Sequence, residues 1–406
     1  MRPVLHLLLL LSATSLLKTG SAADATLMYE WTNVEYDWPS EATKFNYTNS
    51  GWYIPDNNAL AGVKYWKGEA YVTVPRWRPG VPVTLAKVVG TPEKPLLQAW
   101  PSWEAQSYPL GNASKLQFIQ SMEIDSRGWM WILDVGRLNL LSDPATQTAG
   151  VPKLWIWDID TNCLVKEFVF PDDVMPYHSS WANDIVVDET RGFAYISDTW
   201  AEGGIVVYDF NNNRARRFDD KSLQPDPGMK VSINGRTYNF PLPSDGIALS
   251  HDGETVYYCE ISRQILWSVP TNALRNWTMS SAEISPFVKN HGTKGFSDGM
   301  TSDDQGNLYF GNQATSSVMV WKMGTPIESA KVLVGNVTTM QWPDTFAWDS
   351  ASGSLIFVSN KLQLFAFDGM KFDGSDGANF RLWKVNANAQ SYLSGYPVPA
   401  EAPCLV

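Results

Sequence analysis

One short phrase recurs along this chain: an acidic residue ahead of an apolar run, a turn, a second apolar run and a closing polar residue. It begins at Glu123, Asp184, Asp245, Asp298 and Asp344 and closes at Asp134, Asp198, Glu260, Asn312 and Asn360. A weaker sixth copy reads Ala61-Gly-Val-Lys-Tyr65 followed by Gly68-Glu-Ala-Tyr-Val-Thr-Val74. The starts are 46 to 61 residues apart. Self-similarity at such a period marks a repeat architecture, and a unit that cannot bury its own apolar face must stack on its neighbours. Each unit is built from runs of 4–8 apolar residues punctuated by Gly, Asp or Asn, which is a strand pattern. Leu154-Trp-Ile-Trp-Asp158, Gly204-Ile-Val-Val-Tyr-Asp209, Gln264-Ile-Leu-Trp-Ser268 and Val318-Met-Val-Trp321 supply third strands with a large aromatic near one end. Six such units, at roughly 64 residues each, predict an all-β, six-bladed β-propeller as a single domain over residues 23–406.

Residues 1–22 read as a secretory signal peptide: Arg2, the apolar run Val4–Leu11, then Gly20-Ser-Ala22. No later stretch has the roughly 20 apolar residues of a membrane span. The expectation is a secreted, extracellular protein with no membrane partner. Sequons at Asn46, Asn112, Asn276 and Asn336 fit that route as glycosylation sites. The net charge of −11, without a basic stripe, argues against nucleic acid. Cys163, Cys259 and Cys404 allow one internal disulfide, whose pairing spacing alone does not decide. Oligomeric state is not legible.

In a propeller, the first strand of each blade lines the central channel, and its start lies beside the end of the antiparallel second strand. All ten phrase-opening and phrase-closing residues are therefore expected around one mouth of the channel. So many carboxylates oppose one another's ionisation unless cations intervene. Arg76, Arg137, Arg263, Lys294 and Lys361 are the candidate neutralisers. If these fall short, the mouth favours a cation, either a metal ion or an amine. An Asp ahead of Gly also caps turns, so each single Asp has a structural reading too.

Several stretches resemble the Yellow / major royal jelly protein family. They include Pro75-Arg-Trp-Arg-Pro-Gly-Val-Pro-Val-Thr-Leu-Ala86, Ala194-Tyr-Ile-Ser-Asp-Thr-Trp200, Gln341-Trp-Pro-Asp-Thr-Phe346 and Ser359-Asn-Lys-Leu-Gln363. The resemblance implies a secreted six-bladed propeller. It also implies one of three roles: binding a small aromatic amine or catechol in the channel, converting dopachrome in pigment chemistry, or an extracellular structural or storage role. By the resemblance, Thr345 and Asn360 are the polar ligand contacts, and Leu362 stands where amine-binding members have an aromatic. Asp344, Asp298 and Asp245 would supply negative potential and Phe346 a ring. An enzyme of this kind must take a proton from a ring carbon, and Asp344 or Glu260 are the candidate bases. Two cysteines of insect members are missing, near Arg127 and before Pro152-Lys153.

No protein cofactor is expected. Calcium is the metal that carboxylate and amide oxygens would accept, and Glu123, Asn183 and Asp245 form a pattern similar to lactonase-type propellers, which use the ion in hydrolysis. The three histidines of the mature chain, His178, His251 and His291, are too scattered for a zinc site.

Overall fold

The computed structural model describes residues 24–142, 150–367, 369–397 and 404–405. The segment 1–22, read above as a signal peptide, lies outside the described residues. Six four-stranded antiparallel sheets follow one another along the chain. Their innermost strands are Val63–Trp66, Ile119–Ile124, Ala182–Asp188, Ser244–Leu249, Met300–Ser302 and Trp342–Asp349, in blades 1 to 6. Blades 1 to 5 run outward in chain order. Blade 6 is composite: Trp342–Asp349, Ser354–Asn360 and Phe380–Asn386 are joined at the outer edge by Ala25–Trp31 from the N-terminal region. That pairing, from Ala25 opposite Val385 to Trp31 opposite Phe380, closes the ring by tying the N-terminal region into the last blade.

The strands form because both faces of each inner sheet are covered. Ala182–Asp188 and Ser244–Leu249 are buried at every position, so their sequences are continuous apolar runs rather than alternations. Aromatic residues fill the wedges between blades. Trp131 sits 6.4 Å from Tyr208 of the next blade, and Tyr309 meets Trp348 at 5.4 Å. Of these, Tyr208 is one of the aromatics near the end of a third strand.

The turn between first and second strands explains one part of the repeated phrase. In blade 2, Asp125 Oδ1 accepts from the Arg127 and Trp129 amides at 3.0 and 3.2 Å, and its Oδ2 accepts from Trp131 Nε1 at 3.0 Å. Arg127 pairs with the same carboxylate. Asp303 repeats the device, capping Gln305 and Asn307 and accepting from Tyr309 Oη at 2.9 Å. The Cys163 and Cys404 sulfurs are bonded, and Cys259 is a buried free thiol. Replacing Asp125 with Ala strands an indole N–H, a guanidinium and two amides in a buried turn. The expected cost is about 2–4 kcal/mol, read as a lower midpoint in urea unfolding; an unchanged midpoint would refute this role.

Candidate functional site

At the mouth where each inner strand begins, a cavity of about 290 Å³ opens over the channel. Its floor is made by one residue from each of blades 2 to 6: Gln120, Asn183, Asp245, Asp298 and Asp344. Asn183 and Asp245 each follow by one residue the position that pairs with the end of the second strand, Ala182 opposite Asp198 and Ser244 opposite Glu260. The three carboxylates are 2–7% exposed. The walls are Trp77, Leu141, Trp181, Phe240, Trp342 and Phe367, with Leu242, Ile261 and Leu362 between them. Beneath the floor the channel narrows to a crevice of about 10 Å³ beside Ser121, Asp184 and Thr345.

Among the described residues, no lysine, arginine or histidine lines this cavity. The five candidate neutralisers are committed elsewhere. Arg76 donates to the carbonyls of Val81, Pro82, Gln106, Leu116 and Gln117. Arg137 donates to Ser180 O and lies over Trp200. Lys361 holds Asp376 O and Asn379, and Arg263 stands 3.7 Å from Glu260. Lys294 lies behind the floor against the Cys259 thiol.

Neutral donors hold the carboxylates instead. Asn183 Nδ2 donates to Asp245, Trp342 Nε1 to Asp298 at 2.6 Å, and Asn360 Nδ2 and Thr345 Oγ1 to Asp344 at 2.8 and 2.9 Å. Asp245 and Asp298 hydrogen-bond to each other. Two ionised carboxylates cannot do so, so the pair shares one proton. Burial first, then the Asp298 charge, push the Asp245 carboxyl well above its ordinary range. Asp344 rises for the same two reasons in the same order. Burial also raises Asp298.

The residues singled out in the sequence separate into several groups. Asp245, Asp298, Asp344 and Leu362 line the cavity, and Thr345 lines the crevice below it. Asn360 does not face the cavity: its amide bridges Leu60 O and Asp344, and its Oδ1 accepts from the Leu362 amide at 2.9 Å. It therefore positions both a carboxylate and a wall residue. Phe346 is a correction. Its ring packs against Phe357 in the interblade core, and Trp342, four residues earlier, supplies the wall.

Glu123 is a second correction. It pairs with Trp131 while Ile119 pairs with Asp134, so it lies roughly 10 Å further along its strand than Gln120. There it meets Lys64 at 3.0 Å near the opposite mouth. Glu123, Asn183 and Asp245 thus do not converge, and no group of three His, Cys, Asp or Glu among the described residues is arranged to hold a metal ion. Asp134 and Asp198 lie at the expected end but tie down backbone, accepting from the Gln117 and Phe118 amides and from the Trp181 amide. Glu260, pushed up to about 7 by burial, accepts from Trp267 and does not line the cavity.

Trp77, Trp181, Gln120, Phe240 and Phe367 were not anticipated. Trp77 and Trp181 both donate to Gln120 Oε1, at 3.1 and 3.0 Å, which fixes two walls to the floor. An aromatic just ahead of an inner strand recurs at Phe118, Trp181 and Phe296, and this was the available signal for Trp181.

Fold and site together define a six-bladed propeller with an aromatic-walled, acid-floored pocket at one channel mouth. The chain belongs to the major royal jelly protein family, whose sequence model matches residues 119–393. It is 24% identical over 399 residues to dopaminechrome tautomerase of Drosophila melanogaster, covering 91% of this chain and 83% of that protein. It is 28% identical over 302 residues to protein yellow of Drosophila pseudoobscura pseudoobscura, covering 69% of this chain but 52% of that protein, about half its length. Among solved structures, a luciferin-regenerating enzyme superposes with a TM-score of 0.50 at 13% identity, over 82% of this chain and 92% of that one, a likeness of fold.

Asp184, beside the crevice, gives a test of the electrostatics. It accepts from Ser121 Oγ and from the Ile185 amide, and burial raises its carboxyl to about 6. A folded-state value above the unfolded one means the native state holds the proton longer. Between pH 4 and 6 the unfolded chain ionises first, so native stability falls as pH rises. Asp184→Asn keeps an acceptor and lacks the titration. Wild type should lose up to roughly 3 kcal/mol relative to this variant between pH 4 and 7, followed by urea unfolding at each pH. Parallel profiles would show that Asp184 is not so perturbed.

Proposed function

We propose that the protein binds a small aromatic amine or catechol-type ligand at this channel mouth. The observation that carries the reading is a set of aromatic and aliphatic walls over three buried carboxylates, with no cation among the described lining residues. An ammonium group replaces the missing positive charge, and its ring is left against Trp342, Phe240 and Trp181, where cation–π and apolar contact both contribute. Calorimetric titration with dopamine and serotonin, in the presence of a chelator, is expected to give micromolar affinity, about −8 kcal/mol. Asp298→Asn should weaken it at least tenfold while keeping the Trp342 hydrogen bond and the fold. Equal affinity in that variant would remove the floor from the site.

A second reading is favoured by the match along 91% of the chain to a protein named dopaminechrome tautomerase. A tautomerase moves a proton from ring carbon to carbonyl oxygen and needs neither oxidant nor metal. In this pocket Asp344 would take the carbon-bound proton, and the proton shared by Asp245 and Asp298 would be the one returned. A hydrolytic role through calcium has no converged ligand set to support it.

The protein is also proposed to be secreted and glycosylated. No helix among the described residues is long and apolar enough to cross a membrane, and Asn46, Asn112, Asn276 and Asn336 are all exposed. Expressed through a eukaryotic secretory pathway, it should lose mass at each of these four positions on peptide-N-glycosidase treatment. Peptide mass spectra showing unmodified Asn at all four would overturn this.

A further inference from the structure

We propose that the pocket selects aromatic amines over the amino acids from which they differ only by a carboxylate, and that Asp298 and Asp344 are the residues that enforce this. The inference rests on the amine-binding reading and narrows its ligand class.

The argument is geometric. An ammonium that reaches the floor lies within hydrogen-bond distance of a carboxylate, and in an α-amino acid the ligand's own carboxylate is attached to the same carbon. It is then held within a few ångströms of Asp245, Asp298 and Asp344, inside a cavity walled by Trp77, Trp181 and Trp342 where water does not screen the repulsion.

The lining side-chain donors left for a ligand carboxylate are neutral amides, Gln120 Nε2 and the second N–H of Asn239. The indole N–H groups of Trp77 and Trp181 are spent on Gln120 Oε1, and that of Trp342 is spent on Asp298. Asn183 donates to Thr199 Oγ1 and to Asp245. Among the described residues no guanidinium or ammonium lines the cavity. The charged or titratable groups that face the floor from neighbouring elements are Asp184 beneath it, and Cys259 and Lys294 behind it. Lys294 is held against Cys259 and Glu260. A like-charge juxtaposition met by neutral amides in place of a cation costs enough for discrimination of order 100-fold.

The test is a set of matched titrations on the full-length protein: dopamine against L-3,4-dihydroxyphenylalanine, and serotonin against 5-hydroxytryptophan. The methyl ester of each amino acid serves as a control that keeps the bulk and removes the charge. The amines should bind at least 100-fold more tightly than the amino acids, and the esters should recover most of that difference. The Asp298→Asn/Asp344→Asn variant, checked by its melting temperature, should show a preference below tenfold. Amino acids binding within threefold of their amines would overturn the selectivity while leaving the amine site standing. Esters as weak as the free acids would overturn it in favour of steric exclusion. Silence from every ligand would overturn the amine reading itself and this inference with it.

Discussion

The close approach of neighbouring inner strands at the channel mouth is the constraint on which the site depends. A Cβ added to Gly246 would lie 2.1 Å from the Asp298 carbonyl oxygen, and one added to Gly299 would lie 2.3 Å from that of Asp344. Each glycine therefore lets the next blade's Asp backbone press against its own strand. The repeated Asp-Gly pair is what draws Asp245, Asp298 and Asp344 into one small floor. A side chain at either glycine would push the blades apart or force them to rearrange. The acidic floor is thus a consequence of how tightly the ring closes, and ring closure in turn needs the N-terminal strand Ala25–Trp31 on the edge of the last blade.

Carboxylates forced together without cations are costly, and the structure offsets the cost with neutral donors and a shared proton. Asn183, Trp342, Asn360 and Thr345 each supply a hydrogen bond to one of the three acids. Such donors favour the ionised form without cancelling its charge, so negative potential survives in the cavity. Had Arg76 or Arg137 reached the floor, the acids would be neutralised ion pairs and the pocket would have no reason to take a cation. Arg76 is instead a multi-donor clamp on backbone carbonyls, and Arg137 donates to Ser180 O while lying over Trp200.

The architecture was legible because the phrase repeats in phase and each copy carries its own strand signals. The closing strand was not, because Ala25–Trp31 has no copy of the phrase and its partner lies at the other end of the sequence. Within the site, Asp245, Asp298 and Asp344 were legible as a family of equivalent positions. Glu123 misled because it was aligned by its charge, whereas strand register is set by the apolar positions: Met122 opposite Ile132 corresponds to Ile185 opposite Ile196. By that alignment the blade 2 ring position is Gln120. Phe346 misled because the register shifts between Pro343 and Phe346, so the two-residue alternation counted from Asp344 does not carry its ring to the pocket side. Phe240 and Phe367 come from connections outside the repeat, and no period in the sequence points to them.

The two ends of the channel are chemically opposite, and this bears on how a ligand enters. At the far end a cavity of about 280 Å³ carries a charge-balanced pair, Lys64 with Glu123, in place of bare acids. The C-terminal segment crosses that end. Tyr392 is buried there, its hydroxyl accepting from the Val187 amide at 3.0 Å and donating to Glu123 at 3.3 Å, while Tyr396 holds His251 O at 2.6 Å. Between the two cavities lies the 10 Å³ crevice beside Asp184 and Thr345, too small for an aromatic ring. The acid-floored pocket is bordered at its opening by Phe240 and the exposed Phe367, whose rings stand 5.2 Å apart. Entry ring-last, with the ammonium leading toward the floor, is the orientation that satisfies both the apolar walls and the charge beneath them.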